Sequence, residues 1–188
     1  MLNVTLIGDS ISRGYTPVVT ELLAGTAAVT RPEAAGGTSG YILAMLEEWC
    51  VKASADVIHL NCGLHDIVRL YGPHKSRIPI AAYRENVRTI LDTLVEFTDA
   101  TVVWATTTPV NGQAYLAQTG LVCKEDDVVA YNQVGVAVAA QLGVTVNDLH
   151  GAVMSAGRDT LLRDDGVHYT EAGYRRLGQA VTEAIRSV

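Results

Sequence analysis

Short apolar runs alternate with helix-like segments along the chain, and this alternation is the feature that most constrains the fold. Five runs are continuously apolar or β-branched, and they cover residues 4–7, 27–30, 57–60, 101–106 and 144–146. Such runs are typical of parallel strands that helices cover on both faces of a sheet. The pattern therefore predicts an α/β fold, a three-layer sandwich in which a doubly wound parallel sheet lies between two layers of helices.

The segments between these runs carry apolar residues at helical spacing. They predict helices over 17–23, 42–49, 80–94 and 128–142, and a last helix that Thr170 caps. The stretches 67–79 and 109–124 have no clean period and are predicted to be loops. A length of 188 residues without repeats or composition shifts fits one domain, so we predict a single domain over 1–188.

Charge and composition argue against several classes of protein. The net charge of −6 disfavours a nucleic-acid partner, and no apolar segment is long enough to span a membrane. The first residues show no basic stretch followed by an apolar run, which favours a cytoplasmic location. Cys50, Cys62 and Cys123 form no C-x-x-C pair, so we expect buried thiols rather than a disulfide framework or a zinc site.

A serine stands where the first strand meets the first helix, in the motif Gly8-Asp9-Ser10. At that position its hydroxyl would lie at the carboxyl end of the sheet. Its N–H would lie near a helix N-terminus, which favours developing negative charge. Taken alone, the same serine could simply cap the helix.

A second motif, Asp165-Gly166-Val167-His168, precedes the last predicted helix. Asp165 can hold one ring nitrogen of His168 and leave the other to take a proton from a serine. Asp164 is less suitable because its spacing to the histidine is four. A surface turn with an Asp cap is the alternative. A serine is a poor nucleophile without a base, so each motif needs the other, and together they favour Ser10 as a nucleophile.

With these motifs the whole chain resembles an SGNH/GDSL hydrolase. The first motif is similar to the family's first block, with Ser10 as nucleophile, and Asp165 and His168 match its last block. Gly36-Gly37-Thr38-Ser39 resembles the second block, in which a glycine N–H serves the oxyanion hole. Gly36 is the expected donor and Gly37 its close competitor. The resemblance also implies a flavodoxin-like sheet order of 2-1-3-4-5.

The chain departs from the family at the third block. It has Gly63-Leu64-His65-Asp66 where the family has Gly-x-Asn-Asp, so His65 stands in place of the oxyanion-donating asparagine. An imidazole can donate a hydrogen bond, so the role can survive. Asn61 is an alternative donor, although a structural role at the strand end is favoured for it. The Gly-Leu-His-Asp version resembles a branch of the family in which some relatives act on acylated sugars.

The resemblance implies a serine esterase that works through a covalent acyl-enzyme. The expected oxyanion hole consists of the N–H of Ser10, the N–H of Gly36 and the side chain of His65. No metal or organic cofactor is expected. The expected partner is a small acyl ester, with acetyl esters of carbohydrates as candidates, and neither nucleic acid nor a membrane. The sequence does not determine the oligomeric state.

Three other functions stay open on the sequence. An acyltransferase would use an alcohol or sugar in place of water, and a non-catalytic binding domain would keep only the fold. A thioesterase or lysophospholipase would need an apolar channel, for which Leu116, Leu121 and Val122 are candidates.

The histidines outside these motifs are weaker candidates, and His59 and His150 are interpreted as structural. His74 lies in a basic loop that we interpret as solvated, with an anion or a sugar as the alternative partner; its basic neighbours are Arg69, Lys75 and Arg77.

Overall fold

A computed structural model describes residues 1–34, 36–52, 54–70 and 75–188 of the chain. Its centre is a parallel sheet of five strands in the order β2-β1-β3-β4-β5. The strands are β1 Leu2–Ile7, β2 Ala27–Thr30, β3 Val57–Leu60, β4 Thr101–Ala105 and β5 Thr145–Asn147. The inner residues of β1, β3 and β4 are buried on both faces, which is why these runs are mostly apolar, whereas the edge strands β2 and β5 are more exposed. The predicted parallel sheet and its order are confirmed.

Helices cover both faces of the sheet. On one face α1 Ser10–Leu22 packs against α9 Glu171–Arg186, and α7 Leu149–Ser155 joins α9. On the other face α4 Ile80–Phe97 lies between α2 Ser39–Leu46 and α6 Glu125–Gln141. A π-helical turn over Glu47–Val51 extends α2. The remaining short helices are α3 Leu64–Ile67, α5 Gly112–Thr119 and α8 Arg158–Leu161.

The first helix begins earlier than the sequence predicts. It starts at Ser10 rather than at residue 17, because the Asp9 carboxylate accepts a hydrogen bond from the N–H of Ile11 and caps the helix. The residues 10–16 have only two large apolar side chains, Ile11 and Tyr15, so this part shows little periodicity. Asp9, and not Ser10, is therefore the cap.

The two predicted loops contain more structure than expected. The segment 109–124 includes α5, which has no fully buried residue and therefore no apolar face that a sequence pattern could show. The segment 67–79 begins at the end of α3 and continues to an antiparallel bridge between Arg69 and Val122, while residues 71–74 lie outside the described residues. The Arg69 guanidinium also pairs with Asp127 at 2.5 Å. The bridge thus joins the segments 67–79 and 109–124, and the ion pair connects the first of them to α6.

The carboxyl ends of the strands form the edge where ligands bind in sheets of this kind. Ser10 follows β1, His65 follows β3 and residues 106–109 follow β4 at this edge. Cys50, Cys62 and Cys123 are free and buried, as predicted. Within the described ranges, no helix is long and apolar enough to cross a membrane.

Candidate active site

Three side chains from distant parts of the chain form one line of hydrogen bonds. The Oγ of Ser10 lies 2.9 Å from Nε2 of His168. The other ring nitrogen, Nδ1, lies 2.8 Å from Oδ2 of Asp165. The two motifs therefore meet, and Asp165 rather than Asp164 holds the imidazole. This is the order in which a nucleophile, a base and an orienting carboxylate act in acyl transfer.

The turn that carries Asp165 and His168 is fixed by its own hydrogen bonds. Oδ1 of Asp165 accepts from the N–H groups of Val167 at 3.0 Å and His168 at 2.8 Å, which leaves Oδ2 for the ring. Gly166 has φ +76° and lies so close to Asn111 that an added Cβ would be 2.4 Å from its carbonyl oxygen. Only glycine fits this position.

The electrostatics of this turn determine which ring nitrogen of His168 carries the proton. Burial alone would raise the pKa of the Asp165 carboxyl, but the hydrogen bonds from Val167 and His168 prevail and hold the pKa below its ordinary value. The carboxylate can only accept, so Nδ1 of His168 is the donor in that contact. The neutral ring then presents Nε2 to Ser10 as an acceptor, which is the tautomer that a general base requires.

The N–H of Gly36, which the resemblance implies as an oxyanion donor, already has a hydrogen-bond partner. The N–H of Gly36 donates to the carbonyl of Gly8 at 2.9 Å, and an added Cβ at Gly36 would lie 2.8 Å from the same oxygen. This contact holds the second block against the first. The N–H groups of Gly37 and Ser10 have no hydrogen-bond partner in the described part of the chain. The geometry therefore favours the competitor, Gly37, over Gly36 as the backbone donor.

His65 lies in the first turn of α3 and is partly exposed, at the same sheet edge as Ser10. Its ring has no hydrogen-bond partner among the described residues, so it is available to a ligand. Asn61 is not: it is buried, and its Nδ2 donates to the carbonyl of Ala105 at 2.8 Å. The Asn61 amide thus joins the ends of β3 and β4, which is the structural role favoured by the sequence.

The sequence matches the model of the GDSL-like lipase/acylhydrolase family over residues 6–176. The chain belongs to this family. It is therefore an enzyme of the class that hydrolyses carboxylic esters, and the motif Gly8-Asp9-Ser10 lies within the matched range. No curated protein sequence matches the chain significantly.

Solved structures of other proteins share the fold of this GDSL-like hydrolase. A lipase/acylhydrolase from Enterococcus faecalis has a TM-score of 0.84 at 22% identity, covering 100% of this chain and 96% of the other. The acetyl xylan esterase AlAXEase has a TM-score of 0.79 at 17% identity, covering 98% and 100%. The acetylxylan esterase Axe2 from Geobacillus stearothermophilus has a TM-score of 0.80 at 19% identity, covering 98% and 94%.

A buried carboxylate that the sequence analysis did not single out lies beside His65 in this GDSL-like hydrolase. Both oxygens of Asp66 lie 3.0 Å from the N–H of Ser39, and Oδ1 also accepts the Ser39 hydroxyl at 2.5 Å. These bonds connect the third block to the second. The one available signal was the position of Asp66 within the Gly-Leu-His-Asp motif.

A second pair that the sequence did not reveal, Glu125 and His150, lies behind the turn that carries Asp165 and His168. Glu125 accepts the N–H of Val110 at 2.7 Å through one oxygen and lies 2.6 Å from Nε2 of His150 through the other. Asn111, the residue after Val110, donates its N–H to the carbonyl of Gly166 at 2.8 Å, and this bond links the pair to the turn. Glu125 and His150 are far apart in sequence, so no local pattern could reveal their pairing. His150 thus has the structural role predicted for it.

The other histidines do not extend the site. His59 is fully buried, its Nε2 lies 3.1 Å from the Asn147 amide, and burial lowers its pKa to about 4, so it is a neutral core residue as predicted. His74 lies outside the described residues. Arg69 pairs with Asp127 and is not part of a solvated basic cluster. Among the described residues, no three His, Cys, Asp or Glu side chains are grouped as a metal site requires.

A cavity of about 460 Å³ lies between α5 and the start of α6. Leu116 and Val122, two of the residues considered for an acyl channel, line it. The other lining residues include Asn111, Gln113, Lys124, Glu125, Asp126 and Arg158, but the surface that the lining as a whole exposes to the cavity is mostly apolar. Ser10, Asp165 and His168 do not line this cavity.

Proposed function

We propose that this GDSL-like hydrolase is a serine esterase for small acyl esters, acting through a covalent acyl-enzyme. The single observation that carries the proposal is the hydrogen-bonded line from Ser10 through His168 to Asp165, at 2.9 and 2.8 Å. A structural role for this arrangement would not require an acceptor nitrogen directed at a serine at the start of a helix. A nucleophile and its base require that contact.

The proposed reaction proceeds by two acyl transfers. Oγ of Ser10 attacks the ester carbonyl carbon while its proton passes to Nε2 of His168, and a tetrahedral intermediate forms. When this intermediate collapses, the C–O bond to the alcohol breaks and His168 protonates the leaving alkoxide oxygen. A water molecule then attacks the acyl-enzyme with His168 again as base. A second tetrahedral intermediate forms and collapses. The C–O bond to Ser10 breaks, His168 returns its proton to Oγ, and the carboxylic acid is released.

Three donors are proposed for the oxyanion of each tetrahedral intermediate. The Ser10 N–H lies at the start of the 13-residue α1, where no preceding turn satisfies it. The Gly37 N–H is likewise unpaired within the described residues, and replaces the expected Gly36 N–H in the proposal. The His65 ring supplies the side-chain donor. Each such donor is worth about 10²–10³ in turnover.

The proposed substrates are acetyl esters of carbohydrates. Two of the solved structures that share the fold are acetyl xylan esterases. The thioesterase or lysophospholipase alternative needs an apolar channel, and activity that rises with acyl length would identify it. A cytoplasmic location stays a prediction from the sequence.

The test is a substrate panel with wild type and Ser10→Ala. It consists of p-nitrophenyl esters of increasing acyl length and acetylated xylose oligosaccharides. We expect the acetyl esters to have the highest kcat/KM and Ser10→Ala to lower turnover at least about 10⁴-fold. Added free sugar separates hydrolysis from acyltransfer, since a transferase would form a new ester. Turnover that persists in Ser10→Ala would contradict the proposal.

A further inference from the structure

A buried carboxylate, that of Asp66, follows His65 directly and takes part in no step of the proposed reaction. Asp66 is 0% exposed, and it accepts hydrogen bonds from the N–H and the hydroxyl of Ser39. Ser39 is also 0% exposed. Both partners are therefore removed from water, and the contact between them is charge-assisted and short.

The two partners belong to the two segments that carry proposed oxyanion donors. Asp66 is the residue after His65, and Ser39 is two residues after Gly37. A backbone displacement at either partner is thus passed within one or two residues to a donor. The hydrogen bonds between Asp66 and Ser39 thus join the backbone that carries the Gly37 N–H to the backbone that carries the His65 ring.

Further contacts hold this pair in one position. The Ser39 hydroxyl accepts from the Asn86 amide at 2.9 Å, so α4 supports it. The Asp66 N–H donates to Gly63 at 2.9 Å, and its carbonyl accepts from Ile78 at 3.0 Å. The carboxylate therefore has little freedom to move while it stays bound to Ser39.

The energetics argue that stability alone does not explain this carboxylate. Burial raises the pKa of the Asp66 carboxyl to about 6, although hydrogen bonds from Ser39 and the charge of Arg77 act to lower it. The ionised group is thus less favourable in the folded chain than in water. A neutral residue could fill the same space without that cost, as replacements of buried ionic groups show.

We propose that Asp66 is a positioning residue that holds the Gly37 N–H and the His65 side chain at the separation that an oxyanion requires. This inference rests on the proposed esterase function. Asp66 itself touches neither the substrate nor Ser10 in this role. It acts through Ser39 on one side and through its chain neighbour His65 on the other.

The test compares ground-state and transition-state binding in Asp66→Asn. The amide keeps the shape of the carboxylate and one acceptor oxygen, but it removes the negative charge and places a donor where Oδ2 now accepts from the Ser39 N–H, so the contact is weakened. For an acetyl ester we expect kcat to fall about 10–100-fold, less than the loss of a whole donor, with KM changed by less than about 3-fold. Affinity for a small alkylboronic acid, which forms a tetrahedral adduct with Ser10, should fall by the same factor as kcat.

Two further variants keep the result decisive. Ser39→Ala removes only the hydroxyl contact, so it should move kcat and boronate affinity in the same direction by a smaller factor. It also decides the question if thermal melting shows Asp66→Asn to be unfolded. Asp148→Asn is the control for the same chemical change at an exposed position, because Asp148 likewise accepts an N–H, from Gly151, and a hydroxyl, from Thr106, both at 3.0 Å, in a different part of the fold. Its kcat should stay at the wild-type value.

The outcomes separate the inference from the function on which it rests. If wild type shows no esterase activity that depends on Ser10, the proposed function fails and the inference fails with it. If that activity is present and folded Asp66→Asn keeps wild-type kcat and boronate affinity, only the positioning role is overturned. A lower melting temperature with both quantities unchanged would identify Asp66 as merely structural.

Discussion

The hydroxyl of Ser10 and the imidazole of His168 lie 2.9 Å apart although 158 positions separate them in the chain. Their approach follows from the packing of α1 against α9 on one face of the sheet. Ser10 is the first residue of α1, and His168 lies two residues before Thr170, the N-cap of α9. Two helices that start at the same edge of the sheet thus bring nucleophile and base together.

Close packing between these helices should be necessary for activity. An added Cβ at Gly178 would lie 2.6 Å from Val18, so Gly178→Ala should separate α1 from α9. We expect a loss of about 1–3 kcal/mol in the free energy of unfolding, together with lower kcat. Gln179→Ala, at the exposed neighbouring position, is the control and should change neither. Chemical denaturation and steady-state kinetics measure both, and wild-type values for Gly178→Ala would refute the packing argument.

The triad residues should act as one unit. Asp165→Asn should lower kcat about 10⁴-fold, because the amide no longer fixes the tautomer of His168. The double variant Asp165→Asn/His168→Ala should be little worse than the poorer single variant. A fluorophosphonate probe should label wild type once per chain, at Ser10, and leave Ser10→Ala unlabelled. Near-normal turnover of His168→Ala on an activated ester would rule out the triad.

His65 should contribute to the oxyanion hole. His65→Ala should lower kcat about 10²–10³-fold with a modest effect on KM, since one donor to the transition state is lost. His65→Asn should recover much of this loss, because an amide can donate from a similar place. Thermal melting provides the control for folding. If folded His65→Ala keeps wild-type turnover, the two backbone donors suffice.

The two glycines of the second block should respond differently to substitution. Gly37→Ala keeps the N–H, and its Cβ would meet Tyr41 at an ordinary 3.5 Å, so activity should be retained. Gly37→Pro removes the N–H and should lower kcat about 10²–10³-fold. Gly36→Ala should lower stability, because its Cβ would lie 2.8 Å from the Gly8 carbonyl oxygen. Equal kcat for folded Gly37→Pro and Gly37→Ala would show that the Gly37 N–H is not an oxyanion donor.

Asp66 should make the stability of the protein depend on pH in a definite direction. Its pKa is about 6 in the folded chain against an ordinary 3.8, so between these values the folded state binds more protons than the unfolded state. Its contribution to the free energy of unfolding should therefore fall as pH rises through this window, by on the order of 2 kcal/mol. Urea denaturation at pH about 4.5 and about 7, for wild type and Asp66→Asn, measures this. If the free energies of unfolding of wild type and Asp66→Asn differ by the same amount at both pH values, the pKa of Asp66 is not raised.

The strands and the catalytic motifs could be predicted because their signals are local. A strand buried on both faces requires a continuous apolar run, as in residues 102–105 of β4. A turn that orients an imidazole requires a carboxylate three residues away, as in Asp165 and His168. The sheet order and the third block needed the resemblance, since no local rule gives them. The exposed helix Gly112–Thr119 has no buried face, so its residues show no pattern.

The sequence by itself determined the alternation of strands and helices, and with it the sheet edge at which Ser10 and His65 lie. It also provided the residue types that acyl transfer needs. Only the tertiary structure decided that the Gly36 N–H is bound to Gly8, that Asp66 is bound to Ser39, and that Glu125 accepts a hydrogen bond from Val110. The physical reason is that a hydrogen bond between distant segments depends on where the packed helices and strands place them, and that placement leaves no periodic trace in the chain.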